Sequence, residues 1–173
     1  IIGGGAAGFF TAISAAEKNP SAEIIILEGG SRVLRKVKIS GGGRCNVTHH
    51  CFDPYELCKY YPRGSRELLG AFHHWQPRDT IEWFEKKGVK IKAESDGRMF
   101  PVSDQSQTII DCLQQTSRKL GISIQLNQRV SCIVKEKDKW KLHLLSGNTM
   151  SADKVCLALG SLKESNILNQ LRE

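Results

Sequence analysis

The chain opens on an apolar stub, Ile1-Ile2, that runs into Gly3-Gly4-Gly5-Ala6-Ala7-Gly8 and then into the apolar residues Phe9 and Phe10. Glu28 stands twenty positions beyond Gly8 and closes the run Glu23-Ile24-Ile25-Ile26-Leu27. A G-x-G-x-x-G pattern alone is weak evidence. Here a strand precedes it, a helix follows it, and a second strand ends in an acid, all in order. That is a complete βαβ dinucleotide-binding unit. Gly3 permits a tight strand-to-helix turn because it has no Cβ. Gly5 lets backbone come close to a pyrophosphate, and Gly8 lets the helix pack tightly on the sheet.

The same pattern explains why an anion is expected. The helix should run from about Ala7 to Lys18, with Phe9, Ala12, Ile13, Ala15 and Ala16 available for burial. Its first amides have no intrahelical partner, and the helix dipole places partial positive charge there. A pyrophosphate satisfies both. Glu28 is placed to accept hydrogen bonds from a ribose diol. It would repel a 2′-phosphate, so the ribose should be unphosphorylated.

With 173 residues, 40% hydrophobic and 25% charged, the chain suits one sizeable globular core. No apolar run is long enough to cross a bilayer. Only two residues precede the turn, and Ser165 to Glu173 read as the opening of a helix. The expectation is therefore one nucleotide-binding domain over 1–173, incomplete at both ends. The six cysteines, Cys45, Cys51, Cys58, Cys112, Cys132 and Cys156, form no C-x-x-C pair. Cys112, Cys132 and Cys156 fall at apolar positions and read as small buried hydrophobes. A fold of this type points to the reducing cytoplasm. The net charge is +7 and the isoelectric point about 9.2. Arg32, Arg35, Lys36, Lys38 and Arg44 crowd one segment with no acid between them, a solvated face or a positive rim for phosphates.

Further along, Ser40 to Thr48 reads as a loop and Tyr55 to Gly64 as irregular. Helices are expected at Ser65–Phe72, Asp79–Lys87 and Gln105–Leu120. Gly97 to Pro101 reads as a turn. Strands are expected at Val89–Ala93, Ser123–Leu126, Val130–Lys135, Lys139–Leu145 and Met150–Leu159, with Ser146-Gly147-Asn148 turning a hairpin. The apolar run Val155 to Gly160 has the look of a central parallel strand whose carboxyl end borders the ligand crevice.

A second glycine loop, Ser40-Gly41-Gly42-Gly43-Arg44-Cys45-Asn46-Val47-Thr48, is costly to order and suggests close approach of backbone to something bulky. Together with the first glycine turn, the preceding Lys36-Val37-Lys38-Ile39 and the segment Gly97-Arg98-Met99-Phe100-Pro101, it resembles the bacterial NAD(P)/FAD-dependent oxidoreductase flavoproteins, a family with bile-acid-reductase-like and aminoacetone-oxidase-like members. The resemblance covers nearly the whole chain. It implies an α/β, Rossmann-like FAD-binding domain with a parallel sheet and a small antiparallel β-meander. It implies bound FAD, hydride transfer at flavin N5, and NADH or NADPH as a candidate donor. An inserted β-rich domain and a C-terminal flavin-binding segment are expected outside this chain.

By that resemblance Gly3, Gly5, Ala6, Ala7 and Gly8 hold the FAD pyrophosphate, and Glu28 holds the adenosine ribose. Lys36, Ser40, Gly43, Arg44 and Asn46 lie along the cofactor toward the isoalloxazine, and Val130 touches the adenine through its backbone. Ala158 and Gly160 match part of the family's A-T-G-G strand end; Leu159 and Ser161 depart from it. The substrate is not named by the resemblance, and no acid–base pair stands out.

Three other readings compete. Cys45 and Cys51 sit where a flavin-dependent disulfide oxidoreductase carries its redox pair, although five residues separate them, one more than that class uses. Cys45, His49, His50, Cys51 and Cys58 are the right ligand types for zinc, in no compact spacing. A non-catalytic nucleotide- or RNA-binding module would also suit the positive charge.

Overall fold

The computed structural model describes residues 1–160. The expected helix at Ser165–Glu173 and the departure at Ser161 lie outside the described residues. The chain divides into two compact units, one formed by Ile1–Lys36 with the chain from Leu113 onward, the other by Val37–Cys112.

The first unit is built on a parallel sheet. Helix α1 (Ala6–Lys18) buries Gly8, Phe9, Ala12, Ile13 and Ala16, one face of a helix at the expected spacing, and is followed by strand β1 (Ile25–Leu27). Strand β5 (Ser123–Gln125) pairs with β1 in parallel, Ile26 opposite Ile124. On the other edge of β1 the sheet continues through isolated parallel bridges, Ile2 to Leu27 and Ile2 to Leu157. Ile2 donates to the Cys156 carbonyl and accepts from the Ala158 amide, so the apolar run near the end of the described chain lies beside the opening stub.

A separate antiparallel meander follows: β6 (Val130–Glu136), β7 (Lys139–Leu144) and β8 (Thr149–Ala152), in that order. Gly147 turns the second hairpin at φ +89°. The expected single strand Met150–Leu159 is thus two pieces. Its first part pairs antiparallel with β7, Asp153 and Lys154 interrupt it, and Leu157 joins the parallel sheet. Ile2, Leu27, Val130, Ile133, Leu142 and Leu144 form one buried cluster. Cys112 is buried as expected, whereas Cys132 and Cys156 are half-buried.

The second unit carries short helices around a three-stranded antiparallel sheet ordered β2 (Thr48–His49), β4 (Arg98–Pro101), β3 (Ile91–Ala93). Gly97–Pro101 is therefore mostly strand rather than turn. The reversal is tighter and earlier: the Gly97 amide donates to the Glu94 carbonyl, while Met99 and Phe100 are buried between both neighbours. The stretch read as irregular opens on helix α3 (Pro54–Cys58), where the Asp53 side chain accepts from the Glu56 amide and Pro54 takes the first turn. Helix α4 (Ser65–His74) buries none of its residues. Helix α5 (Pro77–Glu85) buries Trp83 and Phe84. The boundary between the units falls inside α6 (Ser106–Lys119), whose Ile109, Ile110 and Leu113 are buried. The other boundary falls inside α2 (Arg35–Ile39), which follows β1 and leads into a 3-10 turn over Ser40–Gly43.

Phe9 is fully buried against the parallel sheet's side of the core, whereas Leu145 is 66% exposed. Phe9→Ala should therefore cost about 3–5 kcal/mol of stability, and Leu145→Ala about 0.5 kcal/mol or less, read from urea unfolding.

Candidate functional site

The first glycine turn is shaped by what its glycines lack. Gly3 has φ +113°, and a Cβ there would stand 2.3 Å from the Ala158 carbonyl oxygen. A Cβ on Gly8 would stand 1.9 Å from the Gly3 carbonyl oxygen and 3.5 Å from the Ala158 Cβ. These two glycines let α1 seat its first turn on the junction between the opening stub and the segment around the Leu157 bridge. Gly4 is a third such position: its Cβ would meet Val33 Cγ1 at 2.7 Å and Glu28 Oε2 at 3.0 Å. Gly5 is different, because a Cβ there would meet nothing within 4 Å. The protein itself needs Gly3, Gly4 and Gly8 bare; Gly5 is bare toward open space.

That open space lies at the start of α1. Gly5 is the N-cap in extended conformation, no side chain caps the helix, and its first turn holds no acid. Ala6 and Ala7 are exposed there. Free amides, positive dipole and missing side chains converge on one spot, which is the chemistry that accepts a phosphate group.

Glu28 closes the far side of the turn. Its Oε2 accepts from the Gly4 amide at 2.9 Å and its Oε1 from the Gly30 amide at 2.7 Å. A carboxylate has about four lone-pair directions, so two amides leave acceptor capacity for a diol. The backbone of 127–130 lies against this acid's segment. The Gln128 amide donates to the Glu28 carbonyl at 2.8 Å, the Asn127 amide donates to the Gly30 carbonyl at 3.0 Å, and Arg129 Nε is 3.3 Å from where a Gly29 Cβ would be. Val130 itself is buried, opposite Leu144. Lys36 is exposed, and its Nζ comes 3.4 Å from where a Gly160 Cβ would be. Gly3, Gly5, Ala6, Ala7, Gly8, Glu28, Lys36, Val130, Ala158 and Gly160 all belong to this first unit.

Ser40, Gly43, Arg44 and Asn46 belong to the second unit. Gly41, Gly42 and Gly43 have φ of +56°, +67° and +89°, and Cβ atoms on Gly42 and Gly43 would meet nothing within 4 Å. The Ser40 hydroxyl donates to the Val37 carbonyl, and Asn46 Oδ1 accepts from the Met99 amide at 3.1 Å. Arg44, read from sequence as a cofactor contact, pairs with Glu94 and stacks on Phe100. Glu94, Asp104, Gly4 and Val33 were not singled out by the sequence. Only Gly4 carried a visible signal, as the middle of three glycines.

The disulfide and zinc readings find no support in the described residues. All six cysteines are free, and burial pushes the Cys45 thiol up, which a hydrogen bond with Ser40 offsets only in part. Disulfide exchange needs a thiol pulled down. Among the described residues, no three His, Cys, Asp or Glu side chains gather closely enough to hold a metal ion. No helix of the described residues is long and apolar enough to cross a membrane.

Residues 1–167 match the HI0933-like protein Rossmann domain. The chain belongs to that family, a family of FAD-binding oxidoreductases. It is 32% identical over 160 residues to the 3-dehydro-bile acid delta(4,6)-reductase of Clostridium scindens, covering 92% of this chain and 38% of that protein. It is 30% identical over 162 residues to the ribosomal RNA dihydrouridine synthase of Escherichia coli, covering 94% and 39%. The chain thus spans about two fifths of the curated relatives it matches. Among solved structures, the quinol fumarate reductase FrdA of Escherichia coli superposes with TM-score 0.60 at 19% identity, over 87% of this chain and 30% of that one. The amino acid oxidase NikD superposes with TM-score 0.56 at 17% identity, over 98% and 52%. At these identities the likeness establishes the fold: a Rossmann-like domain with a parallel sheet and a separate antiparallel one.

The four glycines make a prediction about stability alone. Gly8→Ala should cost about 1–3 kcal/mol, because its Cβ meets backbone that cannot move aside. Gly5→Ala should cost about 0.5–1 kcal/mol, the loss of a glycine N-cap and no more. Urea unfolding of the two variants checks the order.

Proposed function

We propose that this chain is the FAD-binding part of a reductase that saturates a carbon–carbon double bond conjugated to a carbonyl. The observation that carries the cofactor is the Gly5 face: an uncapped helix start, open where a side chain would be, beside a carboxylate with acceptor capacity to spare. The amides of Gly5, Ala6 and Ala7 would hold the pyrophosphate. Glu28 would accept from the ribose hydroxyls, and the backbone at Val130 would meet the adenine. Lys36, whose Nζ lies near Gly160, would neutralise phosphate charge. The triglycine turn, where Cβ atoms on Gly42 and Gly43 would meet nothing within 4 Å, would serve the flavin end together with Ser40 and Asn46.

Bound FAD supplies hydride transfer at flavin N5, and the protein supplies orientation and electrostatics. The substrate class is suggested by what two relatives have in common. One is named for reducing the delta(4,6) bonds of a 3-dehydro bile acid, the other for making dihydrouridine. Both add two hydrogens across a double bond conjugated to a carbonyl. Between a steroid and an RNA, the charge of +7 favours the polyanion. Arg32, Arg35, Lys36 and Lys38 are all exposed. NADH or NADPH would serve as donor, in a cytoplasm that keeps the six free thiols reduced.

The full-length protein should purify yellow or gain the visible flavin spectrum with added FAD. Glu28→Ala should weaken FAD binding by about 1–3 kcal/mol, the range for a hydrogen bond to a charged group. Gly5→Ala should fold and yet fail to retain flavin. Anaerobic reduction with NADH and NADPH separately, then reoxidation by a steroid dienone or a uridine-containing ribosomal RNA, identifies donor and substrate. A colourless protein that gains no flavin spectrum overturns the reading.

A further inference from the structure

We infer that Arg44 is a positioning residue, which clamps the triglycine turn through Glu94, and is not itself a ligand of the cofactor. This rests on the FAD reading above. The turn is pressed onto β4 at several points. A Cβ on Gly41 would stand 2.8 Å from Phe100 Cε1 and 2.8 Å from the Asn46 amide nitrogen, so glycine alone lets the chain lie against that ring. Phe100 is fully buried. Beyond the turn, Asn46 Oδ1 accepts from the Met99 amide at 3.1 Å, and the Val47 amide donates to the Met99 carbonyl at 2.8 Å.

Arg44 supplies the clamp between these points. Its guanidinium carbon sits 3.9 Å from the centre of the same Phe100 ring. Its Nη1 is 2.5 Å from Glu94 Oε1 and its Nη2 3.4 Å from Glu94 Oε2, a forked pairing. Asp104 Oδ1 adds a second carboxylate at 3.6 Å from Nη1. Lysine cannot reproduce the fork or the planar stacking.

The charges of the cluster cancel. Lys92 pairs with Asp104, Arg98 Nη2 lies 3.8 Å from Glu94 Oε2, and Arg98 Nε lies 2.6 Å from Asp96 Oδ2. Arg44, Lys92 and Arg98 therefore stand against Glu94, Asp96 and Asp104, three cations to three carboxylates. A guanidinium so matched offers little attraction to a phosphate. To reach one, it would have to give up its forked pairing with half-buried Glu94, leaving that carboxylate only the longer 3.8 Å contact with Arg98. What the turn offers a ligand is backbone: Gly42 and Gly43, in left-handed conformation with open faces. Three adjacent glycines hold such a shape poorly alone, and the Arg44–Glu94 fork holds it for them.

The test uses the full-length protein with Arg44→Gln, Glu94→Gln, the double variant and Arg44→Lys. Cys45, next in sequence and 6% exposed, reports the turn, and Cys58 of α3, 8% exposed, is the control for general loosening. Alkylation rates are read residue by residue by mass spectrometry, and FAD dissociation constants by fluorescence. Each single Gln variant should label Cys45 about tenfold faster, with Cys58 unchanged, and weaken FAD about tenfold. The double variant should be no worse than either single one, and Arg44→Lys should not restore the wild-type values. If Glu94→Gln leaves FAD affinity intact while Arg44→Gln abolishes it, Arg44 is a direct ligand and the inference falls. It falls equally if Cys45 labelling is unchanged in Glu94→Gln. Failure of the FAD reading shows separately, as wild-type protein that takes up no flavin, and Cys45 labelling then still decides whether the clamp exists.

Discussion

The carboxylate of Glu28 makes a single object of the first glycine turn and the end of β1. One oxygen takes the amide of buried Gly4, the other the amide of Gly30. Gly4 has no room for a side chain on that flank, since Val33 and Glu28 itself fill the place a Cβ would need. On the opposite flank the Gly3 carbonyl and Ala158 close over Gly8. The turn is fixed mainly by exclusion: three missing Cβ atoms allow backbone to approach backbone, and one acid ties the result to the sheet. A diphosphate bound at Gly5, as proposed, would meet amides that are already in place, so little ordering cost would fall on binding.

The second unit reaches a fixed glycine turn by other means. Its three left-handed glycines are held by side chains that come from far away, Glu94 being fifty residues from Arg44. Aromatic stacking on Phe100 and a forked ion pair replace the steric closure of the first turn. Such a device depends on charge: Lys92 holds the Asp104 carboxyl below the ordinary aspartate range, with Arg44 adding to the effect. The stability this supplies is present above the unfolded pKa and is lost as pH falls through the lowered folded value.

What could be read from the sequence follows the same division. The glycine spacing and the terminal acid were legible because a missing Cβ is a hard requirement that no neighbour can supply. The amphipathic helices at α1 and α6 and the meander β6–β8 were legible from periodicity. The helix at Pro54–Cys58 was obscured by nearby Pro62 and Gly64, although Asp53-Pro54 is an ordinary helix start. The strand at Arg98–Pro101 was hidden by Gly97, whose turn ends just before it. Arg44 showed most clearly what local pattern lacks. The sequence places Arg44 along the cofactor by resemblance, and only the folded chain brings Glu94 and Asp104 to it.

Family membership and the geometry of the Gly5 face support one proposal: backbone amides would grip a diphosphate while Glu28 would hold the neighbouring sugar. A crystal structure of the full-length protein with FAD tests this most directly. The pyrophosphate oxygens should lie within hydrogen-bond distance of the amides from Gly5 to Ala7, with a ribose hydroxyl on Glu28 and the Gly4 bond kept. A pyrophosphate seated elsewhere, or Glu28 swung away from both Gly4 and the ribose, would contradict it.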